Sequence, residues 1–433
     1  MKARKYWKTT VNCCRKHGVY MPVKADENLI ERHLRELSRF SSESGRLTRQ
    51  TFSDAWAEAV TYVECLMKEL DMTVKMDGFG NLTGIFNPAG SSAKPVGTGS
   101  HLDTVINGGA YDGATGLIAG IEAVRILKES GIVPERPVEV IAFAEEEGGV
   151  FGKGCLGSEY MAGSTSLLRL EQYRDSSGRT PGEAAAAVRY DKPVYGEDFG
   201  WAKNRYHAFF EMHAEQGIIL FEKGKAFAIV DGVVGIMRTR IAFTGQANHA
   251  GTTEMSRRQD AVAALSEFIC TAYSYGLVNN GKIVVTNGKI GVLPNQHNVI
   301  PGEAWSVMEM RSDSEEEIRK AMDVLRKEAG RIAEKYGNTV SIGEHAYVPP
   351  ISFDRDLIGA ADRLAAGRDD MMHLFSWAGH DAKIISKTNP AMMIFIPSKD
   401  GYSHCPEEYS DSSQIAKAVD FLVLNMLEAD KCI

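Results

Sequence analysis

Apolar residues recur at helical spacing over 27–40, where Leu29, Ile30, His33, Leu34, Leu37 and Phe40 share a face. The same spacing returns over 53–70 through Ala55, Ala59, Val60, Val63, Leu66 and Met67. The stretch 81–86 reads as a short strand after the turn Asp77-Gly78-Phe79-Gly80. The stretch 137–143 is a stronger strand, rich in β-branched and aromatic residues and followed by acids. Upstream of it, Leu117, Ile118, Ile121, Val124 and Leu127 predict a helix over about 116–128. This β-loop-α-β order predicts an α/β fold with a parallel-stranded sheet.

A second pattern begins near residue 235. Strands are predicted over 237–244, 282–290, 304–310 and 339–342, with helices over 259–275 and 314–336. That βαββαβ order is the signature of a ferredoxin-like α+β unit. The acids and bases of the long helix, from Glu315 to Glu328, read as a solvated face. Pro349-Pro350 marks a return, after which 395–397 and a helix over about 414–427 read as core again. The predicted organisation is a discontinuous domain, 1–234 with 346–433, interrupted by an insertion at 235–345.

Composition narrows the field only coarsely. The 433 residues suit two or three domains, and 49 Lys+Arg against 57 Asp+Glu give a net charge of −8. That balance argues against a protein that coats nucleic acid or an anionic membrane. No run reaches about 18 apolar residues, and the basic start of the chain is followed by no apolar core of a secretory signal. Seven scattered cysteines with no Cys-x-x-Cys predict a reduced, cytoplasmic chain without a cysteine zinc site.

Histidines sit beside acids at the ends of predicted strands. They fall in Gly99-Ser100-His101-Leu102-Asp103-Thr104, Tyr111-Asp112-Gly113, Glu145-Glu146-Glu147-Gly148, Glu211-Met212-His213 and Gly401-Tyr402-Ser403-His404. Ligands gather at the carboxyl ends of strands in open α/β sheets, so these loops can meet. Imidazoles with carboxylates and no thiolate suit Zn²⁺, Mn²⁺, Co²⁺ or Ni²⁺.

These motifs, with Asn248-His249-Ala250-Gly251, Asn298-Val299-Ile300-Pro301 and Gly379-His380-Asp381-Ala382, resemble the hydantoinase/carbamoylase amidases of the di-metal aminoacylase and carboxypeptidase superfamily. The resemblance runs in family order over roughly 75–425. It implies a mixed-sheet, aminopeptidase-like catalytic domain with two divalent metal ions, zinc or manganese, cobalt or nickel. It also implies that the insertion is a lid and forms a homodimer. His101, Asp112 and His213 would surround one metal, and Asp112, Glu147 and His404 the other, with Asp112 bridging. Asp103 would accept the second imidazole N–H of His101, and Glu146 would be the general base. Glu145 is read as a solvated neighbour of Glu146 and Glu147. Gln216, Gly379 and His380 would bind substrate, and Arg311 would pair with its carboxylate, against the plainer reading of a surface ion pair. His249 and Asn298 would reach a neighbouring subunit's site, His249 also serving in catalysis.

The chain departs from the family pattern at Val150, Glu254, Trp377 and Tyr402, none of them an implied ligand or base. The implied reaction is hydrolysis of the ureido group of an N-carbamoyl-L-amino acid to the amino acid, ammonia and carbon dioxide. Allantoate or ureidopropionate are alternative substrates. A dipeptidase or aminoacylase is a more distant alternative, and a metal-dependent scaffold protein is the non-enzymatic one. The implied partner is a small ureido acid, with neither nucleic acid nor membrane.

Overall fold

The computed structural model describes residues 23–431, so the basic N-terminal segment and Cys13, Cys14 and Cys432 lie outside the described residues. The chain divides into two compact units, Met1–Asp231 with Phe353–Ile433, and Gly232–Ser352. The crossing points fall three residues before the expected 234/235 and seven after the expected 345/346, and the strand Phe227–Val233 runs through the first of them.

The first unit is built on a mixed sheet. Strands β1 (Thr73–Met76), β2 (Leu82–Phe86), β3 (Val96–His101), β4 (Val138–Phe143), β5 (Ala208–Ala214), β6 (Phe227–Val233) and, late in the chain, β16 (Ala391–Ile396) take the order β1-β2-β4-β3-β5-β16-β6. The central four, β4, β3, β5 and β16, are mutually parallel. Every residue of these four is buried, which explains why their sequences show no alternation of apolar and polar positions. Helices α1 (Glu27–Leu37), α2 (Asp54–Glu69), α3 (Ala114–Glu129) and the C-terminal Ser412–Lys431 belong to the same unit. The first two begin at Asp26 and Ser53, whose side chains accept backbone N–H groups. Helix α3 lies close against β5: a Cβ on Gly116 would stand 2.0 Å from the Met212 carbonyl oxygen.

The second unit contains β7 (Gly235–Thr244), β8 (Asn248–His249), helix α4 (Ala261–Val278), β9 (Val284–Leu293), β10 (Val299–Ile300), β11 (Glu303–Ser312), helix α5 (Glu315–Lys335) and β12 (Thr339–Ile342). Its main sheet has the order β12-β7-β11-β9, antiparallel throughout. Strand β11 alternates strictly: Ala304, Met308 and Met310 pack with Ala264, Phe268, Ile318 and Leu325 of the two helices. Its other face carries Trp305, Glu309 and Arg311. Helix α4 has the length and mean hydropathy (18 residues, 1.3) of a membrane span. A stripe of Ala261, Ala264, Leu265, Phe268 and Ala272 is buried in the unit's core. Tyr273, Leu277 and Val278 near its end stay exposed, as do Val284, Ile290 and Leu293 on the edge strand β9.

Candidate active site

The parallel strands deliver the candidate residues to one edge of the first unit's sheet. His101 closes β3, His213 lies near the end of β5, the three glutamates follow β4, and His404 follows β16. Asp112 sits just before α3, behind Gly113. A Cβ on Gly113 would strike the His101 ring at 2.5 Å, and its φ of +63° is one a glycine adopts freely.

Two sets of lone pairs converge on Asp112. His101 Nε2 and His213 Nε2 each lie 3.1 Å from Asp112 Oδ1 and 3.3 Å from one another. His404 Nε2 lies 3.1 Å from Asp112 Oδ2 and 3.4 Å from Glu147 Oε2. His101 Nδ1 faces the Asp103 carbonyl at 2.9 Å and His213 Nδ1 faces the Ala214 carbonyl at 3.0 Å. Each Nδ1–H is therefore donated to a backbone carbonyl, which leaves Nε2 turned toward a carboxylate oxygen of Asp112. Acceptors packed this closely need positive charge between them. Burial opposes charge on His101, yet Asp112 and Glu146 outweigh it and hold the imidazole well above its ordinary pKa. His213 is likewise pushed up to about 9 against its burial, chiefly by Asp112. Burial, then Asp112, pushes Glu147 up to about 8. Among the described residues, the sets His101, Asp112, His213 and Asp112, Glu147, His404 each fit one cation, with one oxygen of Asp112 turned to each. Gln216 closes this side, its Nε2 2.7 Å from Asp112 Oδ2 and its buried Oε1 without a partner among the described residues.

The loops after β3 and β4 each differ from expectation at one point. The Asp103 carboxylate stands 3.9 Å from His101 Nδ1, and the imidazole N–H goes to the Asp103 carbonyl instead. The carboxylate accepts the backbone N–H groups of Glu146 and Glu147, tying the metal loop to the base loop. Glu145 is fully buried, with Oε1 accepting from the backbone N–H groups of Val150 and Phe151. Its left-handed backbone (φ +59°) turns the side chain inward while Glu146 and Glu147 face the cluster. Glu146 Oε2 lies 3.9 Å from His101 Nε2.

His380 is also buried, at 1% exposure, rather than open to a substrate. Its ring packs edge-on against His213 at 4.5 Å, and its Nε2 lies 2.8 Å from Ser376 Oγ. Gly379 beside it is exposed, and a Cβ there would meet nothing. In the second unit, His249 and Asn298 lie side by side on the β8–β10 ribbon, both exposed, with the Ala250 N–H donated to the Asn298 carbonyl. His249 Nδ1 accepts from Gly251 and Thr252, which leaves Nε2 as the outward N–H donor. Arg311 Nε donates to Glu309 Oε1 at 2.8 Å, within its own strand.

Several supporting residues escaped the sequence reading. Glu408 accepts the backbone N–H groups of Tyr111 and Asp112 and the Ser403 hydroxyl, and so fixes the loop that carries Asp112. Its only signal was an acid four positions beyond His404. Arg49 is buried and donates to the carbonyls of Leu102 and Leu37, bracing the loop after His101. Burial pulls its pKa down to about 10. Glu211, on β5 beside His213, accepts from Ser100 Oγ and the Ala382 N–H.

Residues 97–428 match the model of peptidase family M20/M25/M40. The chain is 33% identical over 408 residues to an N-carbamoyl-L-amino-acid amidohydrolase of Paenarthrobacter aurescens, covering 94% of this chain and 98% of that one. It is 32% identical over 391 residues to an allantoate amidohydrolase of Bacillus subtilis strain 168, covering 90% and 94%. A solved hydantoinase/carbamoylase family amidase from Burkholderia multivorans superposes with a TM-score of 0.85 at 31% identity, covering 94% and 98%. A mixed sheet with His and carboxylate clusters at its strand ends thus defines a metal-binding hydrolase of the M20/M25/M40 class. Within that class the chain belongs to the hydantoinase/carbamoylase family of amidases, hydrolases of non-peptide carbon–nitrogen bonds.

Proposed function

We propose that the protein hydrolyses the ureido group of N-carbamoyl-L-amino acids, releasing the amino acid, ammonia and carbon dioxide. The observation that carries this reading is the convergence of His101, His213, His404 and Glu147 on the two oxygens of Asp112. His101, Asp112 and His213 would hold one divalent cation, zinc or manganese, cobalt or nickel, and Asp112, Glu147 and His404 the other. When bound, the cations would polarise the ureido carbonyl and make water acidic enough to attack at neutral pH. Glu146 takes the proton of the attacking water on Oε2 and returns it to the leaving nitrogen. Gln216 and Gly379 orient the ureido group, and Arg311 takes the substrate carboxylate. His249, with Asn298 beside it, donates from Nε2 to the developing oxyanion in a neighbouring subunit's site. Collapse releases ammonia, and the carbamate left on the amino nitrogen loses carbon dioxide.

Allantoate, a larger acid with two ureido groups, is the second reading, favoured by the similarity to the Bacillus subtilis enzyme. Strand order and direction in 232–352 support a ferredoxin-like unit. The apolar residues left exposed on α4 and β9 support its role in pairing two copies of the chain. The free thiols Cys65, Cys155, Cys270 and Cys405 support a reduced, cytoplasmic setting. Metal-reloaded protein assayed for ammonia across carbamoyl-L-amino acids, allantoate, ureidopropionate and dipeptides tests the reading. Ammonia from the carbamoyl-amino acids is the expected result, and turnover of dipeptides alone would overturn it.

A further inference from the structure

The segment after the base loop folds back along it. The backbone N–H groups of Cys155, Leu156 and Gly157 donate in turn to the carbonyls of Glu146, Glu145 and Ala144, at 3.0, 3.1 and 3.1 Å. Two glycines make this approach possible: a Cβ on Gly154 or Gly157 would stand 2.3 Å from the carbonyl oxygen of Glu146 or Ala144. Between them Cys155 is left-handed, at φ +61° and ψ +29°, a conformation costly for any residue with a side chain. Glycine would sit there without strain, so the side chain that is present calls for a use. Its sulfur is buried and lies 3.2 Å from Glu146 Oε1. Burial, with Glu146 and Asp381 nearby, keeps the group a neutral thiol, which can donate.

We propose that Cys155 is a positioning residue for the general base: its S–H donates to Glu146 Oε1 and fixes the carboxylate so that Oε2 alone faces the cluster. The proposal rests on the reading of Glu146 as the base. A carboxylate has two equivalent oxygens and a soft terminal torsion, so an untethered Glu146 would spend part of its time with neither oxygen aimed at the reacting water. The backbone ribbon sets where the sulfur stands, and the thiol sets how the carboxylate rotates. Neither needs the thiol to ionise or to touch substrate.

The test compares manganese-loaded wild type, Cys155→Ala and Cys155→Ser with N-carbamoyl-L-alanine and with allantoate. Cys155→Ala should lose roughly tenfold in kcat, the loss of one hydrogen bond to a charged group, with KM and metal content unchanged. Cys155→Ser, which keeps a donor, should recover most of that loss. Wild-type kcat in Cys155→Ala, or a Cys155→Ser variant as slow as Cys155→Ala, overturns the proposal. Infrared spectra of the metal-free protein give a second readout, independent of turnover and of how the variants at position 155 fold. One S–H stretching band should lie at the frequency of a hydrogen-bonded thiol and shift in Glu146→Gln. Identical bands in the two proteins overturn the proposal. An active Glu146→Gln enzyme would remove the base assignment on its own, while the infrared band still reports on the thiol.

Discussion

Asp112 shows how much of a candidate metal site lies outside the residues that would hold the ion. Asp112 turns one oxygen to each cluster because Glu408 and Ser403 hold its loop and its Oδ2. Glu408→Ala should therefore weaken divalent-metal affinity about 10–100-fold, measured by competition with a chelator, while leaving every ligand in place. Unchanged affinity would mean that the helix start alone positions Asp112. At the base, Glu146→Gln should retain both metals yet abolish ammonia release, since an amide cannot accept the proton. The residues proposed to hold the cations were legible as a cluster because their side-chain chemistry is unusual and falls at predicted strand ends. Glu408 and Arg49 were not, because their roles arise only from contacts with loops 297 and 53 residues away. Glu145 was misread for a related reason: nothing in three consecutive glutamates says which one the backbone will turn inward. Asp103 was given the right neighbours and the wrong bond, since a His-x-Asp spacing cannot distinguish a carboxylate from the carbonyl of the same residue.

Among the elements, the packing of α3 against the sheet sets the distance between Asp112 and His101. Gly116→Ala forces a Cβ against the Met212 carbonyl and should cost about 1–3 kcal/mol in urea unfolding, with metal affinity falling in step. Farther along the sheet, His373 on strand β15 (Met371–Ser376) lies 2.7 Å from Asp231 of β6 and 2.9 Å from Asp362 of helix Arg355–Ala365. Burial opposes its charge, but Asp231 and then Asp362 outweigh it and raise its pKa above 6.5. A histidine raised by folding stabilises the fold fully below its unfolded pKa and loses that contribution as pH rises through the folded value. His373→Gln should thus reduce the midpoint of urea unfolding more at about pH 5.5 than at about pH 8.5, by a modest amount because the pair is partly exposed. An equal loss at both would show that the ion pairs contribute nothing. The elements themselves were read well where periodicity is long. Strand β9 was placed a few residues early, because its exposed, mixed face lacks the alternation that fixed β11.

For the whole molecule, one chain supplies two kinds of surface. The first unit gathers donors for cations at its sheet edge. The second buries one face of its sheet under two helices and leaves apolar residues on α4 and β9 exposed. If that face pairs two chains, Leu277→Asp with Ile290→Asp should convert a dimer into a monomer in light scattering, and an unchanged mass would place the interface elsewhere. The central claim, that Asp112 organises two cations for amide hydrolysis, is tested most directly by metal stoichiometry and ammonia release measured on the same samples. Wild-type protein should bind two divalent ions per chain and release ammonia from a carbamoyl-L-amino acid only when loaded, whereas Asp112→Ala should bind fewer than two and release none. Full ammonia release by metal-stripped protein, or two ions retained by Asp112→Ala, would contradict the account.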